Sequence, residues 1–273
     1  MAEKLRMGVA LSELGRRTKR RGVSAPGPTR GELDAFCEAL SQSTGLGITP
    51  YAAPRYDRLL RRLHLGEVDL AWLPPVVALS ALRDEALPVA LPVRGETPWF
   101  WTALFTGPDS EIRTLADLRR ARAVWVAGDS ASGYLVIRAA LRAEGFDPDR
   151  GFESERFTES HEDVVRAVLA DPRAVGATYM HLDADGELLR AGWGGARVRE
   201  LKRAGPIPGD VLAAAKNLPP HSRTAIARAL ETPDDELLDA MSTLFSAKRF
   251  VPAERAHLAH LEALGRYLIR ERR

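Results

Sequence analysis

The sequence places hydroxyl groups and small residues together at residues 128–133, Gly-Asp-Ser-Ala-Ser-Gly. An apolar run over residues 123–127 precedes them, and apolar residues at helical spacing follow from Leu135. This pattern predicts a buried strand, a tight turn and the first turn of a helix. Free N–H groups and the positive end of the helix dipole meet at such a junction, beside the hydroxyls of Ser130 and Ser132. The spacing therefore indicates a site for a small oxyanion.

Two other interpretations of these residues stay open from the sequence. Serine is a favoured helix cap in all proteins, so Ser130 and Ser132 could serve capping alone. Gly128-Asp129-Ser130 also matches the start of the nucleophile elbow of a serine hydrolase, but the second glycine of that motif is absent. The acidic residues share no setting that indicates acid–base chemistry, so no catalytic residue is predicted.

Ser160 and His161 form a second polar pair, at the start of a predicted helix over residues 161–170. Ser160 is expected to cap this helix, with Asp163 as its capping-box partner. A cation is disfavoured at a helix N-terminus, so a neutral imidazole that donates to an anion suits His161 better than a charged one. A plain surface histidine is the alternative.

The composition limits the class of protein. The 273 residues suffice for one large domain or two modest lobes, and 45% hydrophobic with 28% charged residues is typical of a soluble globular chain. A net charge of +2 gives no warrant for nucleic-acid binding but suits a small anionic ligand. The single Cys37 excludes an internal disulfide, and no cysteine–histidine spacing resembles a zinc site. No membrane span, metal or cofactor is predicted.

Strands and helices are predicted to alternate along most of the chain, which favours a doubly wound α/β sheet. The predicted strands cover residues 5–11, 48–53, 68–73, 87–93, 99–105, 123–127, 155–157, 175–180, 197–201 and 211–215. The predicted helices cover residues 31–44, 56–65, 75–82, 114–118, 135–145, 161–170, 219–231, 234–245 and 253–270. Residues 12–29 are predicted to form a long loop with a basic cluster over residues 16–21.

Several short motifs occur together in one order between residues 48 and 215. After Tyr56 they are GEVDLAWLPP at 66–75, LADL at 115–118, DSASGY at 129–134, SHEDVVRAV at 160–168 and IPGD at 207–210. In this combination the chain resembles the phosphonate/phosphite-type periplasmic substrate-binding proteins of ABC transporters. The resemblance covers the middle of the chain, and the basic loop is longer than the family leads one to expect.

The resemblance implies a type II periplasmic-binding-protein fold, in which two lobes, each a doubly wound mixed sheet flanked by helices, close over ligand in a cleft between them. Lobe 1 is expected at residues 1–98 plus 206–273, with a helical C-terminus, and lobe 2 at residues 99–205. Asp183 and Asp210 are candidates to hold an aminoalkyl group, and Tyr56 to donate a hydrogen bond or simply to pack. The expected ligand-binding residues are Ser130, Ser132, Gly133, Tyr134, Ser160, His161, Tyr56 and Asp210.

The function expected from these features is binding of a small phosphonate-, phosphate- or phosphite-like anion for transport or sensing, with an ABC permease or a signalling partner. Two alternatives remain: a cytoplasmic enzyme on the same fold, of the menaquinone-pathway or pyrimidine-synthesis type, and the effector-sensing domain of a regulator. The apolar run within residues 1–11 is too short for a signal peptide. A cytoplasmic location is therefore expected, or a periplasmic one if a leader has been removed.

Overall fold

The computed structural model of the protein describes residues 4–10, 29–94, 96–247 and 249–253, together with residues 257, 259 and 262. The chain divides into two compact units. Unit 1 lies within Met1–Arg94 and Gly209–Leu258, and unit 2 lies within Gly95–Pro208 and Ala259–Arg273. Residues 12–28 of the predicted loop over residues 12–29, and most of the predicted helix over residues 253–270, lie outside the described residues.

The elements are labelled in chain order. They are β1 (Lys4–Ala10), α1 (Arg30–Thr44), β2 (Gly47–Ala53), α2 (Tyr56–His64), β3 (Leu70–Leu73), α3 (Pro75–Arg83), β4 (Leu87–Val93), β5 (Trp99–Thr106), a 3₁₀ turn (Leu115–Arg120), β6 (Arg122–Trp125), a π-helical turn (Ala131–Leu135), α4 (Val136–Ala143), β7 (Ser154–Phe157), α5 (His161–Ala170), β8 (Ala174–Leu182), β9 (Leu188–Ala191), β10 (Arg199–Pro208), β11 (Val211–Ala214), α6 (Pro220–Glu231), α7 (Asp235–Phe245) and β12 (Arg249–Pro252).

Unit 1 contains a six-stranded mixed sheet in the order β12-β4-β11-β3-β1-β2. The strands β2 and β3 run parallel to β1, whereas β11 is antiparallel to β3 and β4. Its core includes an aromatic cluster in which Trp72 stacks on Phe245 at 4.0 Å, and Phe36 and Phe250 meet Phe245 edge-on. Burial of these large rings is the main apolar contribution of the cluster to folding.

Unit 2 contains the second mixed sheet, in the order β10-β5-β8-β6-β7, with β9 paired to β8. The strand β6 is parallel to β7 and β8, and β5 is antiparallel to β8. Successive residues of β6 face opposite sides, so Trp125 packs in a cluster with Ile137 of α4 while Val124 packs with Val164 and Val168 of α5. The sheet is therefore covered by a helix on each face.

The predicted α/β class with mixed sheets and flanking helices is confirmed. Three details of the prediction were wrong. Residues 205–208, predicted as a loop, belong to β10; they were missed because this partly exposed antiparallel strand lacks the apolar pattern of a buried one. The short strands β9 and β12 were missed, and the strand predicted over residues 123–127 ends at Trp125.

Close packing of α5 on the sheet leaves no room for a side chain at position 176 on β8. A Cβ there would lie 2.6 Å from Val164 Cγ1, 2.8 Å from Val168 Cγ2 and 3.1 Å from the Val124 carbonyl oxygen. This glycine lets α5 approach β6 and β8 directly, and so sets how close the start of α5 lies to the ends of those strands.

We expect Gly176→Ala to lower the free energy of unfolding by about 1–3 kcal/mol, because the buried valines and the backbone oxygen cannot move aside without cost. Gly195→Ala is the control, since nothing lies within 4 Å of the Cβ that it would add. Urea unfolding of both variants and the wild type measures the difference. Equal stability of the two variants would contradict the packing argument.

Candidate functional site

The turn after β6 begins at Ser130, which caps a π-helical turn. Its backbone is extended (φ −72°, ψ 117°), and its hydroxyl oxygen accepts a hydrogen bond from the Gly133 N–H at 3.0 Å. The Leu135 N–H donates to the Ser130 carbonyl at 3.0 Å, a five-residue step that makes the turn wider than an α-helical one. The π-helical turn then runs directly into α4. The helix capping expected for Ser130 is thus present.

Gly133 lies against Val126, the residue that follows β6. A Cβ at this position would lie 2.3 Å from Val126 Cγ2 and 2.8 Å from the Ser130 hydroxyl oxygen, distances that no side chain can adopt. The glycine is therefore required by close approach, and it lets the turn fold back over β6.

Several donors of this turn have no acceptor within the described chain. No described residue accepts a hydrogen bond from the Ser132 or Tyr134 N–H, and the Ser132 hydroxyl has no described partner either. Ser132 is only 5% exposed, and its carbonyl oxygen is held by the Thr102 hydroxyl of β5 at 2.6 Å. The turn therefore offers a set of preoriented donors for an anion.

The Ser160 hydroxyl is fully used in capping α5. It accepts from the Asp163 N–H at 3.1 Å and donates to the Asp163 carboxylate at 2.8 Å. The expected cap by Ser160 is confirmed, but the Asp163 carboxylate accepts from the Ser160 hydroxyl, whereas the expected capping box requires it to accept from the Ser160 N–H. A direct contact between this hydroxyl and a ligand would compete with Asp163, so a ligand role for Ser160 stays a prediction.

His161, the first residue of α5, is tied to the sheet by its ring. Its Nδ1 lies 2.8 Å from the Thr178 hydroxyl of β8, and its ring meets Tyr179 edge-on at 5.1 Å. Burial lowers the pKa of His161 from 6.5 to about 4, because the charged imidazolium is poorly solvated there. The imidazole is therefore neutral at physiological pH.

The serine turn and the start of α5 lie at one edge of the unit 2 sheet. They follow the parallel neighbouring strands β6 and β7, whose carboxyl ends meet at that edge. The Glu159 N–H donates to the Val126 carbonyl at 2.7 Å, so the segment entering α5 lies beside the turn. The carboxyl edge of parallel strands is the usual ligand site of open α/β sheets.

The Tyr134 side chain belongs to an aromatic cluster in unit 2. Its ring lies 5.7 Å from Trp125 and 5.3 Å from Phe157, and the Arg138 guanidinium lies 4.7 Å from its centroid. Burial raises the pKa of Tyr134. Within the turn itself, the donor that Tyr134 supplies is its backbone N–H.

Tyr56 and Asp210 belong to unit 1, whereas the serine turn belongs to unit 2. Tyr56 is the partly buried first residue of α2. Asp210 forms an ion pair with Arg94, whose Nε donates to the Phe245 carbonyl at 2.9 Å. Their ligand roles stay predictions.

Asp183, the other acidic candidate, belongs to unit 2. It accepts the N–H groups of Asp185 and Glu187 at 3.0 and 2.8 Å in the turn between β8 and β9. Thr102, Thr178 and Arg94 were not predicted from the sequence as part of either site, since their partners are distant in the chain.

Among the described residues, no group of three or more His, Cys, Asp or Glu side chains could hold a metal ion.

A family model described as the phosphonate periplasmic substrate-binding protein of ABC transporters matches residues 28–258. The chain belongs to this family. The resemblance inferred from the motifs is thereby confirmed. The family is a transport component, a different class from the enzyme and regulator alternatives. None of the helices in the described residues has the length and apolar character needed to cross a membrane.

Individual relatives agree with the family. The phosphonates-binding periplasmic protein of Escherichia coli (strain K12) is 29% identical over 107 residues, 37% of this chain and 32% of that protein, so the match spans about a third of the relative's length. XAC2383 from Xanthomonas citri, solved bound to ATP, has a TM-score of 0.75 at 20% identity over 99% of this chain and 98% of its own. PhnD1 from Prochlorococcus marinus (MIT 9301), solved with methylphosphonate, has a TM-score of 0.64 at 15% identity over 97% of this chain and 98% of its own. These structures confirm the predicted type II fold.

The neutral His161 makes stability depend on pH in one direction. Its folded pKa of about 4 lies below the unfolded value of 6.5. The unfolded chain therefore binds the proton more readily, and stability is full above pH 6.5 and falls as the pH drops towards 4.

We expect His161→Gln to remove up to about 3 kcal/mol of this pH dependence. The measurement is urea unfolding of the wild type and the variant at several pH values between 8 and 4. The other histidines are present in both proteins, so their contributions cancel in the difference between the two free energies of unfolding. Parallel profiles for the two proteins would show that His161 is not the titrating group.

Proposed function

We propose that the protein is a non-catalytic substrate-binding protein for a small phosphonate-, phosphate- or phosphite-like oxyanion. The observation that carries this proposal is the set of donors at the turn after β6: the N–H groups of Ser132 and Tyr134 and the Ser132 hydroxyl, none with an acceptor among the described residues. These donors lie at the N-terminal end of a helical segment, where the dipole favours negative charge. The family supports the same class of ligand.

His161 supplies a further neutral donor in this proposal. If the Thr178 hydroxyl donates to Nδ1, the proton of the neutral ring resides on Nε2, which then donates to an oxygen of the ligand. Thr178 is completely buried, and in this proposal its hydroxyl donates to Nδ1 and so holds the ring in the tautomer that carries the proton on Nε2. Thr178 is thus a positioning residue rather than a ligand contact.

The relatives support this assignment by the ligands that they carry. PhnD1 was solved with methylphosphonate and XAC2383 with ATP, and both ligands present oxygens bound to phosphorus. The family description further supports delivery of the ligand to an ABC permease and action in the periplasm. Tyr56 and Asp210 are retained in the proposal as ligand contacts expected from the sequence.

Ser132→Ala is expected to weaken binding of the anion by about tenfold or more, since a hydrogen bond to a charged group contributes about 1.5–3 kcal/mol. Calorimetric titration with methylphosphonate, phosphate, phosphite and sulfate measures this. Ser154→Ala, an exposed serine of β7, is the control and should bind as the wild type does. The proposal is overturned if the wild type binds none of the four anions or if Ser132→Ala binds them unchanged.

Thr178→Val should weaken binding by about three- to tenfold, because the ring of His161 loses the partner that selects its tautomer. Thr106→Val is a matched control: Thr106 is also fully buried in unit 2, and its hydroxyl donates to the Ala174 carbonyl at 2.8 Å. Both variants should lose stability, but only Thr178→Val should lose affinity. Equal affinities in the two variants would remove the positioning role.

A further inference from the structure

The sheet of unit 2 carries a row of aromatic and cationic side chains that the proposed function does not use. Phe100 of β5, His181 of β8 and Arg190 of β9 lie on three neighbouring strands. The rings of Phe100 and His181 are 6.1 Å apart, and Arg190 Nη2 lies 3.2 Å from His181 Nε2. His181 and Arg190 are paired in register, so their side chains lie on the same face.

Tyr179 connects this row to the candidate site. It precedes His181 by two residues on β8, and therefore shares its face. Its ring lies 5.9 Å from His181 and 5.1 Å from His161, and the Arg190 guanidinium lies 5.9 Å from its centroid. Its partner across the sheet is Thr102, which holds the Ser132 carbonyl. We call Phe100, Tyr179, His181 and Arg190 the aromatic shelf.

The exposure of the aromatic shelf suits a ligand better than a core. Phe100, Tyr179 and His181 are only partly buried, and Arg190 is exposed. Ring faces and a guanidinium that lie side by side attract planar π-systems through stacking and cation–π contacts. The four members include no carboxylate, so the shelf offers no counter-charge to an aminoalkyl group.

We propose that the aromatic shelf receives a planar aromatic group carried by the bound oxyanion, so that the ligand is an aryl or heteroaryl phosphonate or phosphate monoester. This inference rests on the proposed function, because the oxyanion must first be held at the serine turn. With the oxyanion beside His161, a ring attached to its phosphorus lies within reach of Tyr179. A methyl group in the same place is too small to cover the shelf.

The test compares methylphosphonate with phenylphosphonate, which differ only in the group attached to phosphorus. Calorimetric titration of the wild type should give at least about tenfold tighter binding of phenylphosphonate. Tyr179→Leu and Arg190→Ala should weaken the binding of phenylphosphonate by about fivefold or more and leave the affinity for methylphosphonate within about twofold of the wild type. Because Arg190 is exposed, its variant tests the shelf even if Tyr179→Leu does not fold. Arg150 is an exposed arginine elsewhere in unit 2, and Arg150→Ala should change the affinity for neither ligand.

The outcomes separate this inference from the proposed function. If phenylphosphonate binds no tighter than methylphosphonate, or if the shelf variants affect both ligands equally, the aromatic shelf is not a ligand surface, while oxyanion binding at the turn stands. If the wild type binds neither ligand, the proposed function fails and the inference fails with it.

Discussion

The contact between Gly133 and Val126 is the constraint on which the candidate site depends. Because Gly133 lies against the end of β6, the turn folds back tightly and the Ser130 hydroxyl is placed to cap it. The five-residue hydrogen bonds that follow widen the first turn of the helix and leave neighbouring N–H groups without a described acceptor. Gly133 thus determines both the shape of the turn and which of its N–H groups are left to bind a ligand.

The donors identified at this edge are uncharged. They are two backbone N–H groups, a serine hydroxyl and an imidazole that burial keeps neutral. The arginine nearest along the helix, Arg138, is instead buried between Glu155 and Asp149 and lies over the Tyr134 ring. Among the described residues, the turn itself therefore offers an anion oriented dipoles. Such a site costs little reorganisation, because its donors are held in place before the ligand arrives.

The sequence predicted those parts of the site whose structure depends on near neighbours in the chain. The strand–turn–helix junction, the cap by Ser130 and the start of α5 at His161 all follow from local patterns, and the structure contains them. The π-helical turn was not predicted, since its hydrogen bonds depend on how closely Gly133 packs on β6. The direction of the Tyr134 side chain was missed for a similar reason: its neighbours in the aromatic cluster come from β6 and β7.

The amino-acid sequence by itself determined the family, the alternation of strands and helices, and the residue types of an oxyanion site. Capping, turn formation and hydrophobic periodicity act over a few residues, so they can be read without a structure. Only the tertiary structure decided which of these residues share an environment. His161 meets Thr178, Asp210 meets Arg94, and Phe100 meets His181 because sheet pairing and helix packing bring distant parts of the chain together. Burial then sets the charge of His161, which depends on solvation by the whole fold rather than on its neighbours in sequence.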